Sequence, residues 1–284
     1  MLHISILKVL YEYNRLPRKM IQDLAGFTHR NRCQEALKEL YDHRPKYVDR
    51  VAYHPLNQHA GKSDYVYSLA KRGAQELSGI WGRAVNTPKL SKKSESYLRH
   101  TIELNQFRIF VEKACHDHSD VQLDGIIPEY KGKLGSSGIP IRTVQEKVKP
   151  NNRYGSPEIF IPDMVFVLSR GNNKALFFTE IDLGSEKKSQ LVSKVLDYEA
   201  YFKQKGFKSY SRKFKYEFKG FRLLFVGDLT QFQKVITELN DTNIDLGYVW
   251  GGDIESLNES NFFDKVWVIG DRDNSKRFSL VRSS

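Results

Sequence analysis

The stretch Ile161-Pro162-Asp163-Met164-Val165-Phe166-Val167-Leu168, then Gly171-Asn172-Asn173, then Ala175-Leu176-Phe177-Phe178-Thr179-Glu180-Ile181-Asp182, decides the fold. Two apolar runs joined by a glycine–asparagine turn read as a hairpin-like pair of strands. Asp163 stands at the head of the first strand, and Glu180 and Asp182 end the second. Side chains alternate along a strand, so Glu180 and Asp182 share a face. Carboxylates gathered in this way repel one another and need a counter-charge. A divalent cation with hard oxygen ligands is the usual solution. Such a cation activates water and stabilises charge on phosphate, which is what phosphodiester hydrolysis requires.

Working outward from this pair, the spacing predicts a helix from about Tyr97 to His116 and a basic, glycine-containing region from Lys131 to Lys149. That region, with Gly135-Ser136-Ser137-Gly138 in it, reads as one or two strands around a loop. After the pair come a helix from about Glu186 to Lys203, a strand at Phe221–Val226 and a helix at Gln231–Leu239. Late strands lie near Tyr248–Trp250 and Val266–Ile269. The pattern is that of a mixed sheet flanked by helices. Between Lys203 and Arg222 basic residues interleave with aromatics. Strands or loops that track a phosphate backbone and stack on bases have this pattern. So does an edge hairpin protected from aggregation by its lysines.

The N-terminal part has a different organisation. Residues 4–13 read as a helix with Ile4, Leu7 and Tyr11 on one face, and Pro17 suits the first turn of a second helix that stops at Gly26. In a third helix, for which Thr28 is the expected cap, Cys33, Ala36, Leu37 and Leu40 recur as a buried stripe. Arg30, Asn31, Gln34 and Lys38 lie opposite, with Arg32 beside them. Two strand-like segments follow, Lys46–Tyr53 and Asp64–Leu69, and a further helix begins near Lys71. Three helices and then a hairpin is the order of a winged helix-turn-helix, whose third helix enters the major groove. Arg30 or Arg32 suits guanine, and Asn31 or Gln34 suits adenine. At the hairpin tip Lys62, with His54 and His59, suits phosphate or the minor groove. The competing use of this arrangement is protein–protein contact. Polar, proline-containing residues 84–96 mark a boundary, which divides the chain into a DNA-binding domain at 1–88 and a second domain at 89–284.

Composition agrees with a folded protein that meets a polyanion. Hydrophobic residues make up 40% of the 284, enough for a core, and the net charge is +11. Double-stranded DNA is the expected partner. A membrane is disfavoured, because no apolar run reaches the length of a span and no basic amphipathic helix stands out. The N-terminus lacks a signal peptide's cationic start, so a cytoplasmic protein is expected. Cys33 and Cys115 lack metal-type spacing and read as small apolar residues of helices.

The element order resembles the PD-(D/E)XK nuclease fold, the restriction-endonuclease-like fold, with Pro162-Asp163 and Glu180-Ile181-Asp182 in the motif positions. More narrowly, Glu180-Ile181-Asp182-Leu183-Gly184-Ser185-Glu186, with Lys194 and Tyr198 after it, resembles the replication-relaxation family of plasmids and other mobile elements. That family also carries an N-terminal winged helix. The resemblance implies a sequence-directed DNA endonuclease, nicking or cutting both strands, that works with replication or mobilisation proteins. Asp163 and Glu180 would hold Mg²⁺ or Mn²⁺, helped by Asp182 or Glu103, Glu103 being the candidate acid on the first core helix. Where the superfamily has its lysine, this chain has Asp182. An aspartate cannot orient water or offset transition-state charge as a lysine does. On the following helix Lys187, Gln190, Lys194 and Tyr201 fall near one face, beside an apolar face of Leu191, Val195 and Phe202. Lys194 is the first candidate for the missing cation and Lys187 the second. The missing motif lysine also supports a rival reading, a non-catalytic DNA-binding replication or transcription regulator on a degenerate nuclease fold.

Overall fold

The computed structural model describes residues 3–53, 64–87, 94–130, 132–134, 140–142, 145–148, 158–240, 242, 244–271, 273 and 275–281. The chain forms two compact units, Met1–Gln106 and Phe107–Ser284. Among the described residues no helix is long and apolar enough to cross a membrane.

The first unit runs α1 (Ile4–Tyr13), β1 (Arg15–Pro17), α2 (Arg18–Leu24), α3 (Arg30–Asp42), β2 (Val48–Tyr53), β3 (Asp64–Leu69) and α4 (Lys71–Trp81). The first part of α5 (Glu95–Asp117) completes it. Helix α1 buries Ile6, Leu7, Leu10 and Tyr13, so its apolar stripe is rotated from the expected Ile4, Leu7 and Tyr11. It ends at Asn14, whose φ of 65° is one that asparagine tolerates better than most residues. Helix α3 buries Cys33, Ala36, Leu37 and Leu40 as its periodicity predicts, but it is capped by His29 rather than Thr28. The strands form a three-stranded sheet in the order β1-β3-β2, with both pairings antiparallel. Strand β1 has three residues, too few for an alternation to register in the sequence.

Helix α5 explains why this unit extends to Gln106. Its Leu98 and Ile102 pack with Tyr53 and Val66. Its buried Asn105 donates hydrogen bonds to the carbonyls of Tyr13 and Arg15 at 2.9 and 2.8 Å. Those carbonyls lie at the α1–β1 junction, so this side chain ties the junction to α5. The boundary expected between residues 88 and 89 falls outside the described residues.

In the second unit α5 is followed by β4 (Gln122–Pro128), β5 (Gly132–Leu134), β6 (Pro140–Arg142), β7 (Glu146–Val148), β8 (Glu158–Phe160), β9 (Met164–Arg170) and β10 (Asn173–Ile181). Then come α6 (Lys188–Lys203), α7 (Lys208–Phe214), β11 (Arg222–Gly227), α8 (Leu229–Asn240), β12 (Val249–Asp253) and β13 (Val268–Ile269). Six of these strands build a mixed sheet in the order β13-β12-β11-β10-β9-β4. Strands β9 and β10 pair antiparallel, as their turn predicts, whereas β10–β11 and β11–β12 are parallel and joined through helices. One face of the sheet buries Val165, Val167, Leu176, Phe178, Leu223 and Phe225 against Leu191 and Val195 of α6 and Phe232, Val235 and Ile236 of α8. Strand β4 was not expected from the sequence. Its alternation is broken by an irregularity between Leu123 and Gly125, where the register to β9 shifts.

The interleaved segment 203–222 is neither strand nor edge hairpin. It is the end of α6, then α7, then a turn into β11. Its aromatics face the core: Phe207, Tyr210 and Phe218 are buried, with Phe214 and Tyr216 packed against them. Phe207, Tyr210 and Phe218 are therefore withdrawn from base stacking.

Candidate active site

Asp163 lies one residue before β9, and its backbone N–H bonds to the carbonyl of Thr179 at 3.1 Å. Its Oδ2 accepts the backbone N–H of Ile181 at 2.7 Å. The antiparallel register of β9 and β10 therefore fixes the Asp163 carboxylate beside Glu180. Glu180 shares the face of Leu176 and Phe178, the face covered by α6. It is only 3% exposed, so its charge must be met inside the protein.

Two side chains of α6 meet it. The ammonium of Lys194 donates to Glu180 Oε2 at 2.8 Å and to Glu186 Oε1 at 2.8 Å. The hydroxyl of Tyr198, one turn further on, donates to Glu180 Oε1 at 2.6 Å. Leu191 and Val195, buried against the sheet, set the helix rotation that turns Lys194 and Tyr198 to the carboxylate. Of the two lysines expected as replacements, Lys194 reaches the site. Lys187 is exposed at the head of α6, its backbone N–H held by the Gln190 side chain at 2.8 Å.

Burial raises the pKa of Glu180 to about 7, with the Asp163 charge adding to the rise and Lys194 and Tyr198 opposing it. Burial works against the charge of Lys194, but Glu180, Asp163 and Glu186 outweigh it and hold its pKa above the ordinary lysine value. Burial, then the negative charges of Glu180 and Asp163, push the Tyr198 hydroxyl well up, so it remains a proton donor throughout the neutral range. Asp182 follows directly and accepts the Gly184 N–H at 2.9 Å. Burial raises its pKa against that hydrogen bond, with Glu186 and Asp228 raising it further and Lys194 lowering it. Asp163, Glu180, Asp182 and Lys194 thus form one electrostatic group in the second unit.

Three contributors were not foreseen. Tyr198 belongs to the family-like string, but nothing in the sequence says that it meets Glu180. Glu186 bridges to Lys194, and its other oxygen, Oε2, is buried without a hydrogen-bond partner among the described residues. Gly227 ends β11, and a β-carbon there would come within 2.4 Å of the Asp182 carbonyl oxygen, so only glycine lets the two strand ends pass this closely. No local signal marks it, because the constraint comes from the neighbouring strand.

Glu103 lies in the first unit. There it is beside Tyr53 and Arg99; burial raises its pKa and Arg99 lowers it. Arg30, Asn31, Arg32, Gln34 and Lys38 are all exposed on α3, where Glu35 and Glu39 are exposed too. Positive charge is thus concentrated at the start of that helix. Lys62, His54 and His59 lie outside the described residues, as do Gly135-Ser136-Ser137-Gly138. Cys33 and Cys115 are free thiols whose pKa values burial pushes up to about 11 and about 12, which disfavours the reactive thiolate.

Among the described residues no group of three or more His, Cys, Asp or Glu side chains is placed to hold a metal ion. Asp163 and Glu180 are the two carboxylates that could hold a cation here, and both oxygens of Glu180 already accept hydrogen bonds from Lys194 and Tyr198. Mg²⁺ takes one or two carboxylates and keeps several waters, unlike Ca²⁺, which needs six to eight oxygen ligands. An ion of that kind would have Asp163 and Glu180 as its carboxylates, with Lys194 lying between Glu180 and Glu186.

The sequence model described as replication-relaxation matches residues 7–215. No curated protein and no solved structure matches the chain.

Proposed function

Because the chain belongs to the replication-relaxation family, we propose that it is a sequence-directed, Mg²⁺- or Mn²⁺-dependent DNA endonuclease, acting in replication or mobilisation of a plasmid or other mobile element. The observation that carries the reading is the 2.8 Å contact of Lys194 with Glu180, beside Asp163, at the ends of adjacent strands. It supplies from α6 the cation that the strand motif lacks at Asp182. Asp163 and Glu180 would hold the metal, with Asp182 or Glu186 in support. When bound, the ion lowers the pKa of a water and neutralises charge on the phosphate. Lys194 would leave its bridge to Glu180 for the attacking water or the scissile phosphate, while Tyr198 keeps Glu180 in place. The strand order of the second unit agrees with a PD-(D/E)XK domain of this type.

The order α1-β1-α2-α3-β2-β3, with β3 central in the small sheet, agrees with a winged helix-turn-helix that selects the DNA site. Replacing Arg30 and Arg32 by alanine is expected to weaken duplex binding without touching metal affinity. Loss of a phosphate contact lowers the salt slope by about one unit, whereas loss of a base contact costs roughly 1–3 kcal/mol and relaxes sequence preference. Unchanged affinity in the double variant would move recognition away from α3.

A second reading also has an observation in its favour. Both oxygens of Glu180 are already hydrogen-bonded within the protein. A carboxylate satisfied within the protein fits a DNA-binding regulator that uses the nuclease fold as a scaffold. The deciding experiment incubates the full chain with supercoiled, linear and single-stranded DNA in Mg²⁺ or Mn²⁺, with a chelator as control. Cleavage that needs the ion supports the enzyme. Tight DNA binding with no cleavage of any substrate supports the scaffold.

A further inference from the structure

Residues 205–219 contain Lys205, Lys208, Arg212, Lys213, Lys215 and Lys219 against a single acid, Glu217. All six basic residues are exposed. The aromatics between them point the other way. Phe207, Tyr210 and Phe218 are buried in the core, the Tyr210 hydroxyl donates to Glu146 at 2.7 Å, and a β-carbon on Gly125 of β4 would come within 2.6 Å of the Phe214 ring. The segment is therefore a charged outer face fixed to the sheet by a row of inward rings. Lys208 and Arg212 lie on one side of α7, one helical turn apart.

The backbone adds an independent observation. Lys205 and Lys215, on either side of α7, have φ of 56° and 49°. In that left-handed region a β-carbon crowds the backbone, and glycine or asparagine fits at lower cost. Lysine is thus a poor choice for the fold at both positions. A side-chain role outside the fold accounts for it, which is the direction in which a backbone outlier carries weight.

We propose that this face, Lys205, Lys208, Arg212 and Lys215 at its centre, is a sequence-independent docking surface of the second unit for the phosphodiester backbone of duplex DNA. The proposal rests on the DNA-directed reading above and adds a second contact, separate from α3 and from the carboxylate site. A lipid surface fits less well. Membrane-binding basic helices present apolar side chains beside their lysines, and here the aromatics are committed to the core.

The test compares the full-length wild type with K205N/K208Q/R212Q/K215N and with K205N/K215N. Binding to a random-sequence duplex is measured between about 50 and 200 mM salt, where phosphate contacts dominate. The fourfold variant should bind about ten- to a hundredfold more weakly at the upper end, with a salt slope shallower by roughly three units. The K205N/K215N pair should bind more weakly yet melt at a higher temperature, because asparagine relieves the left-handed positions. Opposite signs on affinity and stability are not expected of lysines with only a structural role. Equal affinity and slope in the fourfold variant would overturn the docking surface and leave the DNA reading intact. A wild type that binds no duplex at low salt would remove both. A lower melting temperature for the pair would assign those lysines to the fold and overturn the proposal. Loss of co-sedimentation with phosphatidylserine vesicles, with DNA affinity retained, would make the face a membrane contact instead.

Discussion

Lys194→Ala is expected to cut DNA about two to three orders of magnitude more slowly than the wild type, a loss of roughly 3–4 kcal/mol in the barrier, with DNA affinity largely preserved. Its ammonium is bonded to Glu180 near the end of β10 and to Glu186 just before α6, and charge developing on the phosphate would lose that partner. The variant also leaves Glu180 buried without its counter-charge. Breaking such a pair costs about 3–5 kcal/mol unless the remaining group is neutralised. Glu180 already has a raised pKa, and without Lys194 it rises further, so protonation is the available escape. The stability deficit of Lys194→Ala should therefore be small near pH 5 and grow as the pH passes through 7 and above. Melting curves across that range, alongside initial cleavage rates, provide the measurement. Equal cutting by the variant would make Lys187 the next candidate, and a pH-independent deficit would contradict the buried pair.

Glu180→Gln should abolish both metal binding and cleavage while making the protein more stable at neutral pH. Glutamine keeps the shape and can still accept from Tyr198, but it offers a cation no charge. The sign of the stability change follows from the raised pKa of Glu180 in the folded protein, about 7 against an ordinary value of 4.5. A carboxyl shifted upward contributes stability that is fully present below its unfolded value and is lost as the pH rises through its folded value. The amide does not titrate. Wild type should thus fall progressively behind the variant as the pH rises through that range. Calorimetric titration with Mn²⁺ and thermal melts at pH 5 and 8 check the two halves. Asp163→Asn should share the loss of metal and cleavage. Retained cleavage in Glu180→Gln would remove the carboxylate from the chemistry.

Several features were legible because local pattern alone decides them. The α3 stripe of Cys33, Ala36, Leu37 and Leu40 has the helical period, and the apolar runs of β9 and β10 are joined by a turn that Gly171 closes in the left-handed region. Those two strands place Asp163 and Glu180 together, so half of the site follows from pairing register. The family string added Lys194, and the apolar face of α6 made a contact with the strand end plausible.

The rest depends on groups distant in sequence. Lys194 and Tyr198 reach Glu180 only because Leu191 and Val195 seat α6 on the sheet at one rotation. Gly227 is required only because β11 passes beside the Asp182 carbonyl. Asn105 has its function only because α5 crosses the carbonyls of Tyr13 and Arg15. The segment after Lys203 shows the limit most plainly. Phe207, Tyr210 and Phe214 have helical spacing, whereas Tyr216 and Phe218 alternate as in a strand. Residue order alone therefore determined that aromatic and basic side chains are interleaved there. Only the tertiary structure decided that the rings turn inward and the lysines outward, because the main sheet, β4 included, offers the aromatics an apolar face that removes their surface from water.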